Sequence, residues 1–328
     1  MTTGRLGAKV TMMKHAFSGP PNQEDRPARS YTVAGHVVEI PRLAPGLHIV
    51  ATPIGNLGDI TLRALAALAG ADVIACEDTR VTRRLLDRYA ITTPLTPYHD
   101  HNAESARPKL LRRLVEGAAI ALVSDAGTPL VSDPGYKLVR TAAEAGHAVT
   151  ALPGASAPLA ALTVAGLPTD QFFFAGFLPP KEAARRSRIT ALARVPATLV
   201  LFESGPRIAA TLTDLAAGLG SGREAALCRE LTKLHEEVRR GNLLALAESV
   251  AAGELRGEFV LVIGPPAAER PGVGDMDVLL REALARTSLK DAVGEVAQAT
   301  GLSRREIYQR ALALTKEAEQ RPYHGAAD

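Results

Sequence analysis

Two Asp, two Gly and two Pro crowd into the segment Leu122–Tyr136, directly after an apolar run. Such a run reads as a buried strand whose carboxyl end opens into a constrained loop. In open α/β sheets, ligands bind at the carboxyl ends of strands. Gly lets backbone approach a ligand closely, and Pro fixes the path. Two other segments repeat the pattern: Leu47–Thr61, with Pro53, Gly55 and Asn56 after the apolar run, and Ala148–Ala157, with Pro153, Gly154 and Ser156. Three such loops could together hold a nucleotide-like ligand. None reads G-x-G-x-x-G, and the chain has no G-x-x-x-x-G-K-[ST], so the dinucleotide and P-loop readings lose their specific support.

Candidate proton-transfer and phosphate-binding groups follow the other apolar runs. Glu77, Asp78, Thr79 and Arg80, with Arg83 and Arg84, stand where a strand gives way to a helix. Asp78 or Thr79 there is equally a helix N-cap. His99–Asn102 offers two His of near-neutral pKa. Glu230, Lys233 and His235 form a third group. Residue type alone does not choose a base among these. Asp133 reads either as a cofactor-side acceptor or as the N-cap of a helix starting near Pro134, and Asp125 as a cofactor-side group or a turn former. The eight His show no metal-ligand spacing, and two Cys, Cys76 and Cys228, cannot make a Cys-based zinc site.

The elements that must position these residues are legible in the pattern. Apolar runs at 47–52, 72–76, 119–124 and 148–152 alternate with helical stretches, which predicts a parallel sheet covered by helices on both faces. A second set of strands starts near Phe172, and a short link between 225–229 and 236–241 predicts a mixed sheet. The fold class is therefore α/β with two lobes. The expected boundaries are a disordered extension over 1–45, one lobe over 46–157, a second over 158–265, and a small helical domain over 275–320. In that last part, Thr300–Ser303 separates two amphipathic helices, and Ser303 with Glu306 makes a capping box. Arg304, Arg305 and Arg310 there are candidate RNA contacts. Lys181, Arg185, Arg186, Arg188 and Arg194 read equally as a phosphate track or a solvated helix face.

The 328 residues, 46% apolar, suffice for two domains, and the net charge of +3 permits RNA binding without arguing for it. No apolar stretch approaches the roughly 18 residues of a membrane span. The N-terminus lacks a secretion signal pattern, so a cytoplasmic location is expected.

Thr52-Pro-Ile-Gly-Asn-Leu, Glu77-Asp-Thr-Arg80, Ser124-Asp-Ala-Gly-Thr-Pro129, Ser132-Asp-Pro-Gly-Tyr136, Pro153-Gly154, Gly166-Leu-Pro168, Gly176-Phe-Leu-Pro179 and Arg229-Glu-Leu-Thr-Lys233, in that order, resemble the bacterial 16S rRNA cytidine-2′-O-methyltransferases. These belong to the tetrapyrrole-methylase-like superfamily. The resemblance runs from about Leu47 to Gly264 and on into the tail. It implies S-adenosylmethionine as cofactor, a decoding-centre cytidine of 16S rRNA in the small ribosomal subunit as substrate, and a homodimer. It implies a cofactor site between two lobes. Pro53, Gly55, Asp125, Gly127, Thr128, Pro129, Val131, Asp133, Pro153, Gly154 and Ser156 would come from the first lobe, and Phe202, Glu203 and Phe259 from the second. Catalytic candidates are Glu77, Asp78, Arg80, Glu230 and Lys233. Phe202 stands where the family usually has Tyr, so a phenol hydroxyl is missing. A tetrapyrrole C-methyltransferase would show Gly-x-Gly-Pro-Gly at the first turn, which this chain lacks. A non-enzymatic nucleic-acid-binding regulator would leave the three loops unexplained.

Overall fold

The computed structural model describes residues 29–133, 135–251, 255–266 and 273–319. The expected disorder of residues 1–28 and most of the linker after Gly264 lie outside these. The chain divides into two compact units at Ser156/Ala157.

The first unit opens with a hairpin, β1 (Arg29–Val33) and β2 (His36–Ile40). This corrects the expectation of disorder up to residue 45. Ala34 and Gly35 both adopt positive φ, as a tight two-residue hairpin turn requires. Tyr31 is buried, and Val33, Val38 and Ile40 pack against the same core. Arg29 and Arg42 both reach Asp72, at 3.2 and 3.3 Å. Five strands then form the parallel sheet: β3 (Gly46–Val50), β4 (Val73–Cys76), β5 (Leu95–Pro97), β6 (Ala119–Leu122) and β7 (Val149–Leu152), in the order β5-β4-β6-β3-β7. Strand β5 has three residues, follows Pro94, ends in Pro97 and lies at the sheet edge, where Pro is tolerated, so it carries no recognisable period.

Helices α1 (Leu62–Gly70), α2 (Thr79–Arg88), α3 (Ala103–Val115) and α4 (Tyr136–Glu144) connect the strands. Alternate strand residues feed two cores. Val50, Ile74 and Cys76 pack with Leu65, Leu68 and Leu86 in one, while Leu47, Val73 and Ile120 pack with Leu110, Leu114 and Leu138 in the other. Burial on both faces explains why these strands are continuously apolar. Helix α4 starts two residues later than expected. Gly135, at φ 133°, occupies the cap position, so Asp133 is not the N-cap.

The second unit holds α5 (Ala157–Ala165), β8 (Phe172–Phe177), α6 (Glu182–Leu192), β9 (Thr198–Ser204), α7 (Gly205–Leu219), β10 (Glu224–Arg229), β11 (Glu237–Asn242), α8 (Leu243–Val250) and β12 (Glu258–Ile263). Its sheet runs β11-β10-β12-β9-β8. Only β8 and β9 pair in parallel, so the sheet is mixed, as the short β10–β11 link predicts. Three tail helices follow, α9 (Val273–Leu284), α10 (Leu289–Thr300) and α11 (Arg304–Glu319), around a core that includes Leu280, Val296, Ile307 and Leu314.

The basic run on α6 divides. Arg185 is buried and its guanidinium lies 2.7 Å from Asp214 of α7, itself buried. Arg186 also reaches Asp214, at 2.8 Å, from an exposed position. Arg185 thus joins α6 to α7 and is lost to any phosphate track. Burial alone would raise the Asp214 pKa, but the two guanidinium groups together hold it below the usual carboxylate range. A carboxylate with a depressed folded pKa stabilises the fold above its unfolded pKa, and that contribution fades as pH falls through the folded value. Asp214→Ala should therefore cost about 3–5 kcal/mol in urea unfolding near neutral pH, because a buried guanidinium loses its partner. Arg186→Ala should cost at most about 1 kcal/mol, the scale of an exposed pair. The difference between Asp214→Ala and wild type should shrink as pH drops below about 4.

Candidate active site

The carboxyl ends of β3, β4, β6 and β7 carry the loops singled out in the sequence. They are tied to one another. The Thr52 N–H donates to the Gly127 carbonyl at 2.8 Å, and the Gly127 N–H to the Thr52 carbonyl at 3.0 Å. The Thr52 hydroxyl donates to the Ser124 carbonyl at 3.2 Å, which locks the loops after β3 and β6 together. The Thr128 hydroxyl donates to the Ala155 carbonyl at 3.2 Å and brings in the loop after β7. The Asp78 N–H donates to the Asp125 carboxylate at 2.9 Å and brings in the loop after β4.

Two glycines are required here for stated reasons. Gly127 has φ +76°, and a Cβ on it would stand 3.3 Å from the Ile54 side chain. A Cβ on Gly154 would stand 3.0 Å from Ala51 Cβ. Pro53 and Pro129 are buried beneath the loops, while Gly55, Asp125, Pro153 and Gly154 are exposed on them. Val131, Asp133 and Ser156 are half-buried. Leu130 and Ser132 hold φ of +73° and +65°. Each such non-glycine residue costs roughly 1–2 kcal/mol, strain of the kind found at functional loops.

Carboxylates gather at this edge. Among the described residues, Glu77 has no side-chain hydrogen bond or ion pair. Burial pushes its pKa up, and Asp125, Asp133, Asp100 and Asp78 push it the same way. Burial also raises Asp133, against a hydrogen bond from Ser124. Asp78 behaves oppositely. It caps α2 by accepting the Arg80 N–H at 2.8 Å, and the Arg80 side chain pairs with it at 2.7 Å. These bonds draw its pKa down to about 2. The Arg80 side chain is 86% exposed, so it can meet an anion from solvent. Nearby, His99 and His101 lie edge to face, with ring centroids 6.0 Å apart, and no partner reaches the enclosed Nδ1 of His99. Sequence reasoning missed Asp100 and Ser124 as parts of this electrostatic group. Only the juxtaposition of loops reveals them.

The second unit presents a different set. Phe202 packs edge to face with Phe174 and Phe177, at 5.0 and 5.4 Å between centroids. Glu203 turns inward instead. Its carboxylate is fully buried, accepts from the Ser204 N–H at 2.8 Å and the Thr211 hydroxyl at 2.7 Å, and pairs with Arg207 at 3.2 Å. Phe259 is buried in the unit's core. Only the backbone of these two remains to meet a ligand. Glu230, at φ +49°, accepts the Glu258 N–H at 2.8 Å and pairs with Lys233 at 2.9 Å. Lys233 also reaches Glu258 at 2.8 Å. Burial opposes both charges, yet Glu230 is held below and Lys233 above its ordinary pKa by these contacts. These contacts favour the ammonium form of Lys233. Among the described residues, no group of three or more His, Cys, Asp or Glu could hold a metal ion.

A strand-helix unit with laced loops at the carboxyl edge, followed by a mixed-sheet unit, defines a class of protein. Residues 46–247 match the family of Tetrapyrrole (Corrin/Porphyrin) Methylases, and residues 271–315 match the RsmI C-terminal HTH domain. The chain is 53% identical to the ribosomal RNA small subunit methyltransferase I of Mesorhizobium japonicum, over 84% of this chain and 95% of that protein. It is 45% identical to the protein of that name from Escherichia coli O157:H7, over 81% and 94%. Diphthine synthase shares the fold at 18% identity, with a TM-score of 0.53 over 66% of this chain and 89% of that one. The methyltransferase CobJ does so at 21%, with a TM-score of 0.51 over 70% and 98%. The chain belongs to the tetrapyrrole methylases and, within them, to the ribosomal RNA small subunit methyltransferase I family. It is a methyltransferase, and its cofactor is S-adenosylmethionine.

If the laced loops hold that cofactor, Gly127→Ala should weaken S-adenosylmethionine binding in calorimetry. A left-handed φ for Ala costs about 1–2 kcal/mol, so the melting temperature should also fall while the unit stays folded. Unchanged affinity in a folded Gly127→Ala protein would remove this loop from the cofactor site.

Proposed function

We propose that this chain transfers a methyl group from S-adenosylmethionine to the ribose 2′-oxygen of a decoding-centre cytidine in 16S rRNA. Small-subunit ribosomal RNA as substrate is supported by the relatives, which are named as small-subunit ribosomal RNA methyltransferases and are matched nearly end to end, while the cytidine and its 2′-oxygen are what the family resemblance implies. The single structural observation that supports an oxygen nucleophile is Glu77, a half-buried carboxylate without a partner beside the laced loops. A hydroxyl must lose its proton on methylation, and a carboxylate of raised pKa is suited to accept it.

When bound, S-adenosylmethionine supplies a methyl group already activated by the sulfonium charge. The loops fit it chemically. Thr128 and Gly154 offer backbone groups, Gly127 sets the path of its loop through its bonds to Thr52, and Pro53, Gly55, Pro129, Val131, Pro153 and Ser156 shape the same edge. Asp125 and Asp133 present negative charge toward a cationic donor. Arg80 is placed to meet an RNA phosphate. Holding hydroxyl and methyl in line accounts for much of the acceleration, about 7–11 kcal/mol in favourable cases. Glu77 accepts the 2′-proton. Asp78 and Glu230, bound up in ion pairs, each hold a backbone N–H, and Lys233 holds the Glu230 and Glu258 carboxylates. The resemblance further implies a cytoplasmic homodimer.

Nuclease digestion and mass spectrometry of small-subunit RNA treated with the protein should find 2′-O-methylcytidine. Methyl on a base would overturn the reaction. Glu77→Gln should lower kcat by about 10²–10⁴-fold, the usual worth of a general base, with S-adenosylmethionine affinity kept. The wild-type rate should rise with pH through a value above the usual Glu range and then level off. The stability sign runs the other way. A carboxyl with a raised folded pKa favours the fold below its unfolded pKa, near 4.3, and loses that contribution as pH rises through the folded value. At neutral pH Glu77 therefore burdens the fold, and Glu77→Gln should melt at a higher temperature than wild type.

A further inference from the structure

The tail helix α11 has one inward and one outward face. Ile307, Ala311 and Leu314 point into the core shared with α9 and α10. Arg310, one of three arginines expected to touch RNA, is instead bound to Asp277 of α9, with its Nε 2.7 Å from the carboxylate. The outward face, at helical spacing, carries Arg304, Arg305, Tyr308, Gln309, Leu312 and Lys316, all exposed. Between Arg304 and Lys316 the only acid is Glu306, exposed at the edge of this face and bonded to the Ser303 hydroxyl at 2.7 Å. Between Arg304 and Lys316 the face thus joins three cations and two large apolar side chains left 45% and 38% exposed, Tyr308 and Leu312.

We infer that the outward face of α11 binds single-stranded RNA, with Tyr308 as a stacking platform for an unpaired base and Arg304, Arg305 and Lys316 on the flanking phosphates. Charge chooses the occupant. A second copy of the same face would oppose like charges, whereas the polyanionic backbone complements them. Exposed Tyr between cations matches how unstacked bases are held, because every base offers a π-face. The capped turn supports this placement. Gly301, at φ +67°, ends α10, and Ser303 starts α11, so Arg304, Arg305 and Tyr308 occupy the first two turns of the second helix. In helix-turn-helix modules, that part of the second helix reads the nucleic acid. The inference rests on the proposed rRNA substrate and adds which surface holds it and how.

The test uses the full-length chain with fluorescein-labelled single-stranded and duplex oligoribonucleotides of one sequence, read by anisotropy. Tyr308→Ala should weaken single-strand binding about 5- to 150-fold, the range of one stacked base, and Tyr308→Phe should restore it. Arg304→Gln with Arg305→Gln should flatten the slope of log affinity against log salt by about 1.4, from two lost contacts to a single strand. Melting temperature and S-adenosylmethionine affinity should not move. Wild-type affinity in Tyr308→Ala would overturn the inference, as would a loss that Phe does not restore. So would dissociation of oligomers by Tyr308→Ala in sedimentation with RNA binding intact, which would make the face a self-association surface. If wild type methylates small-subunit RNA but these variants bind RNA normally, only the α11 surface falls. If wild type neither binds nor methylates RNA, the substrate reading falls with it.

Discussion

The pair of hydrogen bonds between Thr52 and Gly127 is the constraint on which the candidate site depends. They join loops from two adjacent parallel strands, where a sheet ladder would otherwise end. Without them, each loop would be a separate β-to-α connection with its own freedom. With them, and with the bonds from Thr128 to Ala155 and from Asp78 to Asp125, four strand ends share one rigid edge. Gly127 can make both bonds because its left-handed backbone turns its N–H and C=O toward Thr52. The strained conformations of Leu130 and Ser132 follow further along the same loop. Strain of this size persists only where surrounding bonds over-determine it.

Ion pairs hold several acids in structural roles and leave Glu77 without one. Asp78 is neutralised by Arg80, Asp214 by two arginines, Glu203 by Arg207, Glu230 by Lys233, and Asp277 by Arg310. Glu77 has no such partner and is surrounded by further carboxylates. Burial and that repulsion concentrate unfavourable energy at Glu77. That is the environment in which a carboxylate keeps affinity for a proton.

The same logic explains the tail. The pair between Asp277 and Arg310 joins α9 to α11 and fixes which side of α11 faces inward. The side left outside is basic and apolar together. There Tyr308 and Leu312 stand exposed among Arg304, Arg305 and Lys316.

Much of the fold was legible in the sequence. Alternation of apolar runs with helical stretches sufficed for the parallel sheet, because strands buried on both faces must be apolar throughout. The Ser303–Glu306 spacing sufficed for the start of α11, because capping is local. The loop with Gly127 was legible for the same reason, since its left-handed backbone favours glycine. The hairpin at residues 29–40 was not, because its order comes from Tyr31 packing on α1 and from Arg29 and Arg42 reaching Asp72, all distant in sequence. Residue type could not tell Glu77 from Asp78, or Arg304 from Arg310, since each pair is chemically alike. Tertiary structure decided by supplying one member with a partner and denying it to the other. Availability for chemistry is a property of surroundings, and those are assembled from residues far apart in the chain.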